Sequence, residues 1–253
     1  MKVRNNELSN DAFLGGKLRL LQPKRGFRSG IDSVLLAASI TASPGDKVLD
    51  IGTGVGTVLF CLMKRIRPLI AFGIELQEEY YSLAQKNAVI NKLKAKILLG
   101  DFQSLENELS NCAFDQIFFN PPYYLENSYK RSGNQARELA NIEKPGSLES
   151  MLRFSLKRCK PFGFITLIHR PARLGQILSV LEEGSGDIKI LPILSASRDS
   201  TFRIIVRARK SAKGETKLLD TLELFQNTST EGDSRKYSSQ VLDVLEQGKL
   251  LAF

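Results

Sequence analysis

From residue 47 onward, short apolar runs alternate along the chain with longer amphipathic segments. Each run has the length and the β-branched or aromatic content of a buried strand, and the four runs are 48–51, 69–74, 95–99 and 114–119. The segments 57–67 and 77–92, which lie between runs, repeat apolar residues at helical spacing. This alternation predicts a parallel sheet with right-handed crossovers and helices on both faces.

The same kind of pattern continues on both sides of these four strands. After them it predicts, in order, a helix over 147–160, a strand over 162–168, a helix over 171–183, an antiparallel pair over 187–194 and 201–209, and a short helix over 238–247. Before them it predicts a hairpin around Gly15-Gly16, an edge strand over 17–22 and a helix over 31–42 that Pro44-Gly45 ends. We therefore expect an α/β fold with a Rossmann-like, seven-stranded sheet, mostly parallel, with an antiparallel strand near one edge.

Polar or glycine residues follow the carboxyl end of each of the four strands, which is where sheets of this kind bind ligands. The glycine loop is shorter than the dinucleotide fingerprint, but it lets a ligand approach the backbone closely. A strand-end carboxylate can take both hydroxyls of a ribose or accept from an adenine amino group, and an aromatic side chain can cover the adenine ring. In chain order these residues are Asp50, Gly52, Gly54 and Gly56, then Glu75, then Asp101 with Phe102, then Asn120.

A stiff turn, Asn120-Pro121-Pro122-Tyr123, ends the fourth strand, because consecutive prolines cannot continue a ladder. The prolines also hold each preceding residue extended, which fixes the directions of the Asn120 amide and the Pro121 carbonyl beside Tyr123. This combination suits gripping a planar amino group by its two hydrogens while an aromatic ring lies on the base or amide that bears it. The alternative is an ordinary turn after a strand, with buried tyrosines.

The net charge of +9 is unevenly distributed along the 253 residues. Residues 48–150 carry 11 Lys and Arg against 12 Asp and Glu, whereas residues 1–47 carry 8 against 4 and residues 151–217 carry 14 against 5. A polyanion lying across a site in the middle of the chain would therefore meet positive charge on both sides. A solvated basic face that only aids solubility is the alternative.

Individual basic residues are candidates for contacts with nucleic-acid phosphates. Lys130 and Arg131 lie in a long polar loop over 125–146, and solvated surface is the alternative for them. In the last predicted strand, Arg203, Arg207 and Arg209 alternate onto one face, which is a candidate surface for contacts with a nucleic-acid backbone.

The cysteines and the apolar segments indicate the compartment. Cys61, Cys112 and Cys159 are isolated and odd in number, so they offer neither a disulfide framework nor a CxxC metal site. The first residues contain no apolar signal segment, and no stretch approaches the length needed to cross a bilayer. We expect a cytoplasmic protein with no membrane partner and no bound metal.

The motifs together resemble those of class I S-adenosylmethionine-dependent methyltransferases, in the branch that methylates amino groups. The similarity covers about residues 24–210 and rests on Val48–Gly56, Glu75, Gly100-Asp101-Phe102 and Asn120-Pro121-Pro122-Tyr123. This branch acts on the exocyclic amines of adenine or guanine, or on a glutamine amide. Segments 13–18 and 22–36 also resemble the start of the bacterial tRNA(Val) adenine-N6 methyltransferases, which modify the adenosine beside the anticodon. The basic segment 198–213 and the polar loop 125–146 depart from that group.

The resemblance implies S-adenosylmethionine as cofactor and assigns roles to particular residues. The methionine part would be surrounded by Gly52, Gly54 and Gly56, and Asp50 would hold this loop. The ribose would be bound by Glu75, and the adenine by Asp101 and Phe102. A loop that closes over the cofactor is matched by Arg28, Gly30 and Asp32, and Asn120 also lines the cofactor site. Asn120, Pro121 and Tyr123 would be the catalytic residues, and Pro122, Tyr123, Lys130, Arg131 and Arg203 would bind the substrate.

We interpret residues 1–45 as an N-terminal extension that closes over the cofactor, residues 46–210 as the methyltransferase core and residues 211–253 as a tail. The catalytic hypothesis needs no general base, because Asn120 Oδ1 and the Pro121 carbonyl accept both amino hydrogens and aim the nitrogen lone pair at the sulfonium methyl. His169, the only histidine, is then expected to be structural or to cap a helix. The expected substrate is tRNA and the expected state is a monomer or a weak dimer.

Three other functions remain open from the sequence. An rRNA guanine-N2 methyltransferase uses the same chemistry. A release-factor glutamine-N5 methyltransferase uses the same turn, although those enzymes carry a helical domain ahead of the core and only about 45 residues precede the first core strand here. A non-catalytic RNA-binding module would be expected to have lost the cofactor residues, which are present.

Overall fold

The structure is a computed structural model that describes residues 7–106, 108–109, 112–121, 123–125, 142–143, 147–195, 201–226 and 236–251. Within these ranges the chain forms thirteen strands: β1 Leu8–Phe13, β2 Leu18–Pro23, β3 Lys47–Ile51, β4 Ile70–Glu75, β5 Ala95–Leu99, β6 Phe114–Phe119, β7 Tyr124–Leu125, β8 Ile142–Glu143, β9 Cys159–His169, β10 Ser185–Leu194, β11 Thr201–Lys210, β12 Lys217–Leu218 and β13 Leu222–Glu223.

Nine of the described strands form one sheet in the order β12-β10-β11-β9-β6-β3-β4-β5, with β13 also paired to β10. The pairs from β5 through β4, β3 and β6 to β9 are parallel, and β11 is antiparallel to both β9 and β10. The predicted mostly parallel α/β sheet with its antiparallel strand is therefore confirmed. The sequence pattern did not predict β12 and β13, each two residues long, which pair in parallel with β10.

Helices cover both faces of the sheet. The α-helices of the described ranges are α1 Ile31–Ser39, α2 Thr57–Arg65, α3 Glu78–Ile90, α4 Ser147–Arg158, α5 Leu174–Leu181 and α6 Ser239–Leu242, and a turn of π-helix over Asp243–Gln247 continues α6. Side chains of α1, α2 and the C-terminal segment pack in one apolar cluster, and those of α4 and α5 pack in another. Neighbouring strand residues alternate between the clusters, as Phe118 and Phe119 do, because strand side chains point to opposite faces.

The predicted element boundaries differ from the observed ones at several helix ends and at some strand ends, since the strand predicted over 162–168 spans Cys159–His169. The helix predicted over 31–42 ends at Ser39, because Ile40 adopts an extended conformation with φ −83° and ψ 125°. The helix predicted over 171–183 begins as a 3-10 turn over Pro171–Arg173 and becomes α-helical only from Leu174. The strands predicted over 95–99 and 114–119 have the observed limits.

Asn87 of α3 and Asn91, the C-cap residue of that helix, attach the N-terminal hairpin to the sheet domain. The buried Asn87 side chain accepts a hydrogen bond from the Leu21 N–H at 2.7 Å and donates to the carbonyls of Leu21 and Val55. One turn later, Asn91 accepts from the Arg19 N–H at 3.0 Å and donates to the Arg19 carbonyl. Because Val55 belongs to the glycine loop, Asn87 ties that loop and the β2 strand to the same helix.

Candidate active site

The sheet register gathers the predicted site residues at one edge. β3, β4, β5 and β6 are parallel neighbours, so their carboxyl ends emerge side by side. Glu75 pairs with Leu99, the last residue of β5, and Ile51 pairs with Phe119, the last residue of β6. The ends of these strands and the turns that follow them therefore lie along a common edge, and together they contain the predicted glycines and carboxylates and Asn120.

The glycine loop has a backbone that requires glycine. Gly52, Gly54 and Gly56 have φ values of +73°, +58° and +92°, which residues with a Cβ rarely adopt. At Gly56 an added Cβ would lie 2.1 Å from Cε2 of Phe60, whereas at Gly52 and Gly54 it would meet no atom within 4 Å. The first part of the loop thus faces open space, into which a ligand can approach the backbone.

Two buried carboxylates hold the loop in place. Asp50 Oδ2 accepts a hydrogen bond from Thr53 Oγ1 at 2.8 Å, and burial raises the pKa of Asp50 to about 7. Glu75 Oε2 accepts from the Gly54 N–H at 2.8 Å, and its Oε1 accepts from the Gln77 N–H at 2.8 Å. Burial raises the pKa of Glu75, and these backbone donors oppose the shift. Since each oxygen has a second lone pair, Glu75 can still accept from two ligand hydroxyls.

The residues after β5 complete a surface suited to a nucleoside. The Asp101 side chain is exposed, and its Oδ1 accepts from the Gln103 N–H at 2.9 Å, which fixes the carboxylate after the strand end. Phe102 is half-buried and packs edge-on against Phe154, with ring centroids 5.3 Å apart. These groups fit the chemistry of S-adenosylmethionine. The glycine loop is open to a ligand, Glu75 is an acid for the ribose, and Asp101 with Phe102 offers an acid and an aromatic ring for the base.

The acceptor turn is held by the first turn of α1. The Asn120 Nδ2 donates to Ser33 Oγ at 3.3 Å, and the Tyr123 hydroxyl donates to Asp32 Oδ2 at 2.9 Å. The same hydroxyl also lies within hydrogen-bonding distance of Asn120 Oδ1. Burial and the neighbouring Asp32 raise the pKa of Tyr123 well above its ordinary value, so the phenol keeps its proton. Pro121 is buried, and Pro122 lies outside the described residues.

The side chains of Asp32 and Ser33 do not cap α1, although aspartate and serine near a helix start often do. The N-cap residue is Gly30, and no side chain caps this helix. Both side chains instead reach across to Asn120 and Tyr123. Ser33 is the site residue that sequence reasoning missed, because a serine in a first helical turn has no pattern that distinguishes a cap from a long-range contact.

Arg203 completes this cluster at the start of β11. Its Nε donates to Asp32 Oδ2 at 2.9 Å, and its guanidinium carbon lies 4.2 Å from the centroid of the Tyr123 ring. The Arg203 side chain is only 12% exposed. The predicted stacking of Tyr123 on a target base, and the predicted contact of Arg203 with substrate, stay predictions; in this structure the ring already has Arg203 as a neighbour.

The interpretation of Arg203, Arg207 and Arg209 as one exposed basic face is wrong. Arg207 is buried, and its Nη1 donates to the Ser39 carbonyl at 3.4 Å. The physical reason is that β11 lies inside the sheet between β9 and β10, so helices cover both of its faces. Among these three side chains, only that of Arg209 is substantially exposed, at 42%.

The remaining predicted residues lie outside this cluster or outside the described ranges. Arg28 forms an ion pair with Asp11 of β1 at 2.6 Å and donates to Ser9 Oγ, so its side chain holds the hairpin, and its contact with the cofactor stays a prediction. Lys130 and Arg131 are outside the described residues. Among the residues described, no helix has both the length and the apolar character that crossing a membrane requires.

His169 lies at the end of β9 beside the acceptor turn, with its ring centroid 5.5 Å from that of Tyr123. Its Nδ1 accepts from the Arg170 N–H at 2.8 Å, where Arg170 is the N-cap of the 3-10 turn. Burial, together with nearby Arg173, lowers the pKa of His169 to about 4. The imidazole is therefore neutral near pH 7, and its bond to the Arg170 N–H agrees with the expected structural role, which stays a prediction.

We expect His169 to make the protein less stable as the pH falls from 6.5 to 4. Its pKa is about 4 in the folded protein and 6.5 for an ordinary histidine, so the unfolded chain binds more protons in this window. The loss should reach about 2 kcal/mol at pH 5. Asp50, whose pKa is raised to about 7, acts in the opposite direction.

The measurement is therefore a difference between two proteins. The free energy of unfolding is determined at pH 7.5 and pH 5 for the wild type and for His169→Asn, whose Oδ1 replaces the Nδ1 acceptor. Asp50 contributes equally to both proteins, so a smaller loss in the variant reports His169 alone. Equal losses would contradict the assigned role of burial.

This edge of the sheet has an open glycine loop and nucleoside-binding acids on one side and an amide-bearing turn on the other. Such an arrangement suits group transfer from a nucleoside donor to an amine. The sheet order and this edge together define the class I methyltransferases. The methyltransferase domain family matches residues 42–183, which is more than half of the chain. The chain belongs to this family, and S-adenosylmethionine is its methyl donor.

Relatives of assigned function agree with this membership. The chain is 25% identical over 246 residues to a tRNA1(Val) (adenine(37)-N6)-methyltransferase of Proteus mirabilis, with 96% of each chain covered. It is 29% identical over 175 residues to a protein of the same description from Porphyromonas gingivalis, covering 66% of this chain and 68% of the relative. A crystal structure of a predicted O-methyltransferase from Agrobacterium tumefaciens has a TM-score of 0.67 at 19% identity, covering 88% and 98% of the two chains, and shows the shared fold.

Proposed function

We propose that this protein methylates the N6 amine of adenine in tRNA, at the adenosine beside the anticodon of tRNA(Val), position 37. The observation that carries the proposal is the position of Asn120, at the cofactor edge of the sheet with its amide attached to Ser33. An amide oxygen and a proline carbonyl in a stiff turn are acceptors for the two hydrogens of a planar amine. The relative from Proteus mirabilis, which aligns with this protein over 96% of both chains at 25% identity, supports tRNA as the carrier of that amine.

The hydrogen-bond network leaves an acceptor available for the amine. The Tyr123 hydroxyl has one hydrogen, and it lies near both the Asp32 carboxylate and the Asn120 amide oxygen. An amide oxygen has two lone pairs, so Asn120 Oδ1 can accept from a substrate amine as well as from the Tyr123 hydroxyl. The acceptor nitrogen of nearby His169, Nδ1, already accepts from the Arg170 N–H, so this imidazole is not placed to act as a base.

Catalysis by these residues consists of alignment and preorganised acceptors. The bound donor supplies a methyl group on a sulfonium, which is already activated for transfer. Asn120 Oδ1 and the Pro121 carbonyl would hold the amine so that its lone pair points along the transfer direction. They would also stabilise the positive charge that develops on the nitrogen. The methylated, charged amine would then pass one proton to water.

The test is methylation with labelled S-adenosylmethionine, offered first total RNA and then protein extract, followed by identification of the labelled product. We expect N6-methyladenosine at position 37 of a tRNA(Val) transcript. A transcript with guanosine at position 37 should contain none. Labelled N2-methylguanosine in rRNA would replace the proposal with a guanine methyltransferase. Label in glutamine would replace it with a protein methyltransferase, which the same turn also suits.

A further inference from the structure

An aromatic side chain next to the acceptor turn remains exposed. Phe202, the residue before Arg203 in β11, is 37% exposed. The guanidinium carbon of Arg203 lies 3.9 Å from the Phe202 ring centroid and 4.2 Å from that of Tyr123. The two rings are therefore neighbours joined by one guanidinium, and this group runs from the catalytic turn to the surface.

The guanidinium of Arg203 packs on the Phe202 ring, and hydrogen bonds hold this guanidinium in place. The Arg203 Nη1 donates to the Phe202 carbonyl at 2.9 Å, and its Nε is paired with Asp32. Because Asp32 neutralises the guanidinium, Arg203 is poorly placed to bind a phosphate. Its planar group instead supports two aromatic rings, as cation–π stacking allows. An exposed ring held in one orientation is a surface on which a planar group can stack without further ordering cost.

We propose that Phe202 is a stacking platform for an unpaired nucleobase adjacent to the target adenine. The inference rests on the proposed function, since Tyr123 faces the target and Phe202 faces the next position outward. Anticodon-loop bases are unpaired or easily splayed out, and aromatic rings are the usual surfaces that receive such bases. Stacking of this kind tolerates any base, so Phe202 adds affinity for the strand but little sequence preference.

The chain contains a matched control for Phe202. Phe162 is 58% exposed, and the Arg209 guanidinium lies 5.3 Å from its ring centroid. It lies in the amino-terminal part of β9, whereas Phe202 is the second residue of β11 and lies near the carboxyl end of β9, where Ile204 pairs with His169. Phe162 thus shares the exposed ring and the arginine contact but lies at the other end of the strands, away from the site.

The first measurement is steady-state methylation of tRNA(Val) by the wild type, Phe202→Ala, Phe202→Trp and Phe162→Ala. We expect Phe202→Ala to raise the KM for tRNA about tenfold or more, with kcat within about twofold and the affinity for S-adenosylhomocysteine unchanged. Phe202→Trp should retain the wild-type KM, and Phe162→Ala should match the wild type. The ratio of KM values should not change between low and high salt, because a lost phosphate contact would make it salt-dependent.

The second measurement couples Phe202 to a particular base. Anticodon stem-loops are prepared with an abasic residue on the 5′ or the 3′ side of adenosine 37, and their KM values are measured with the wild type and Phe202→Ala. At one of the two positions, removal of the base should raise the KM of the wild type but should not raise the KM of Phe202→Ala any further. Such non-additivity is expected when the side chain and the base are in direct contact. Additive effects at both positions would overturn the inference, as would equal KM values for Phe202→Ala and Phe162→Ala. If the wild type methylates no RNA, the proposed function itself fails.

Discussion

Asn120→Ala is expected to lower kcat for RNA methylation by about a thousandfold while the affinity for S-adenosylmethionine changes less than about threefold. The substitution removes an oxygen that accepts an amine hydrogen, and with it the alignment of the nitrogen lone pair and the stabilisation of its developing charge. Cofactor affinity should survive, because Asp50 and Glu75 hold the glycine loop through their own hydrogen bonds, to Thr53 and Gly54. Single-turnover rates and calorimetric titration with S-adenosylhomocysteine measure the two quantities separately.

Two further variants separate the acceptor role from the support of the turn. Ser33→Ala removes the partner of the Asn120 Nδ2 but keeps both acceptors, so its loss in kcat should be smaller, about tenfold. Asn120→Asp keeps acceptor oxygens but adds a charge beside the sulfonium and the amine, so its rate should also fall. Wild-type turnover in Asn120→Ala would remove this residue from the mechanism.

The fold was predictable because its signals are local. The apolar runs that became β5 and β6 have the lengths and side-chain types of buried strands, and glycines and prolines mark where such strands end. Placing the carboxylates and Asn120 at one edge then followed from the parallel topology alone. Helix ends were less predictable, since α1 stops at Ser39 although no sequence signal distinguishes that residue from the next three.

The side-chain partners within the site were not predictable, because they are far apart in sequence. Ser33 meets Asn120 across 87 residues, and Asp32 meets Arg203 across 171. The alternation of β11 placed its arginines on one face, but alternation does not tell whether that face is solvated or covered. This face of β11 is covered, so Arg203 has a carboxylate and an aromatic ring as partners, and Arg207 is buried beside α1.

The second large effect is expected at Glu75, where Glu75→Gln should weaken binding of S-adenosylmethionine about a hundredfold. The carboxylate accepts from the Gly54 and Gln77 N–H groups at 2.8 Å each, in a site where Glu75 is 6% exposed. A glutamine amide has one oxygen and one NH2 group, so in either orientation one backbone N–H faces a donor. Leaving a buried donor unpaired costs about 1–3 kcal/mol, which favours a displaced glycine loop that binding must restore, and the ribose loses one of its acceptors as well.

Glu78→Gln is the matched control for this substitution, since Glu78 is an exposed acid in the first turn of α3 and its replacement changes the net charge equally. Calorimetric titration with S-adenosylhomocysteine should give a wild-type dissociation constant for Glu78→Gln and a much weaker one for Glu75→Gln. A melting curve with a single transition would show that the Glu75 variant is folded. Equal affinities of the two variants would mean that the charge near α3, rather than the hydrogen bonds of Glu75, governs cofactor binding.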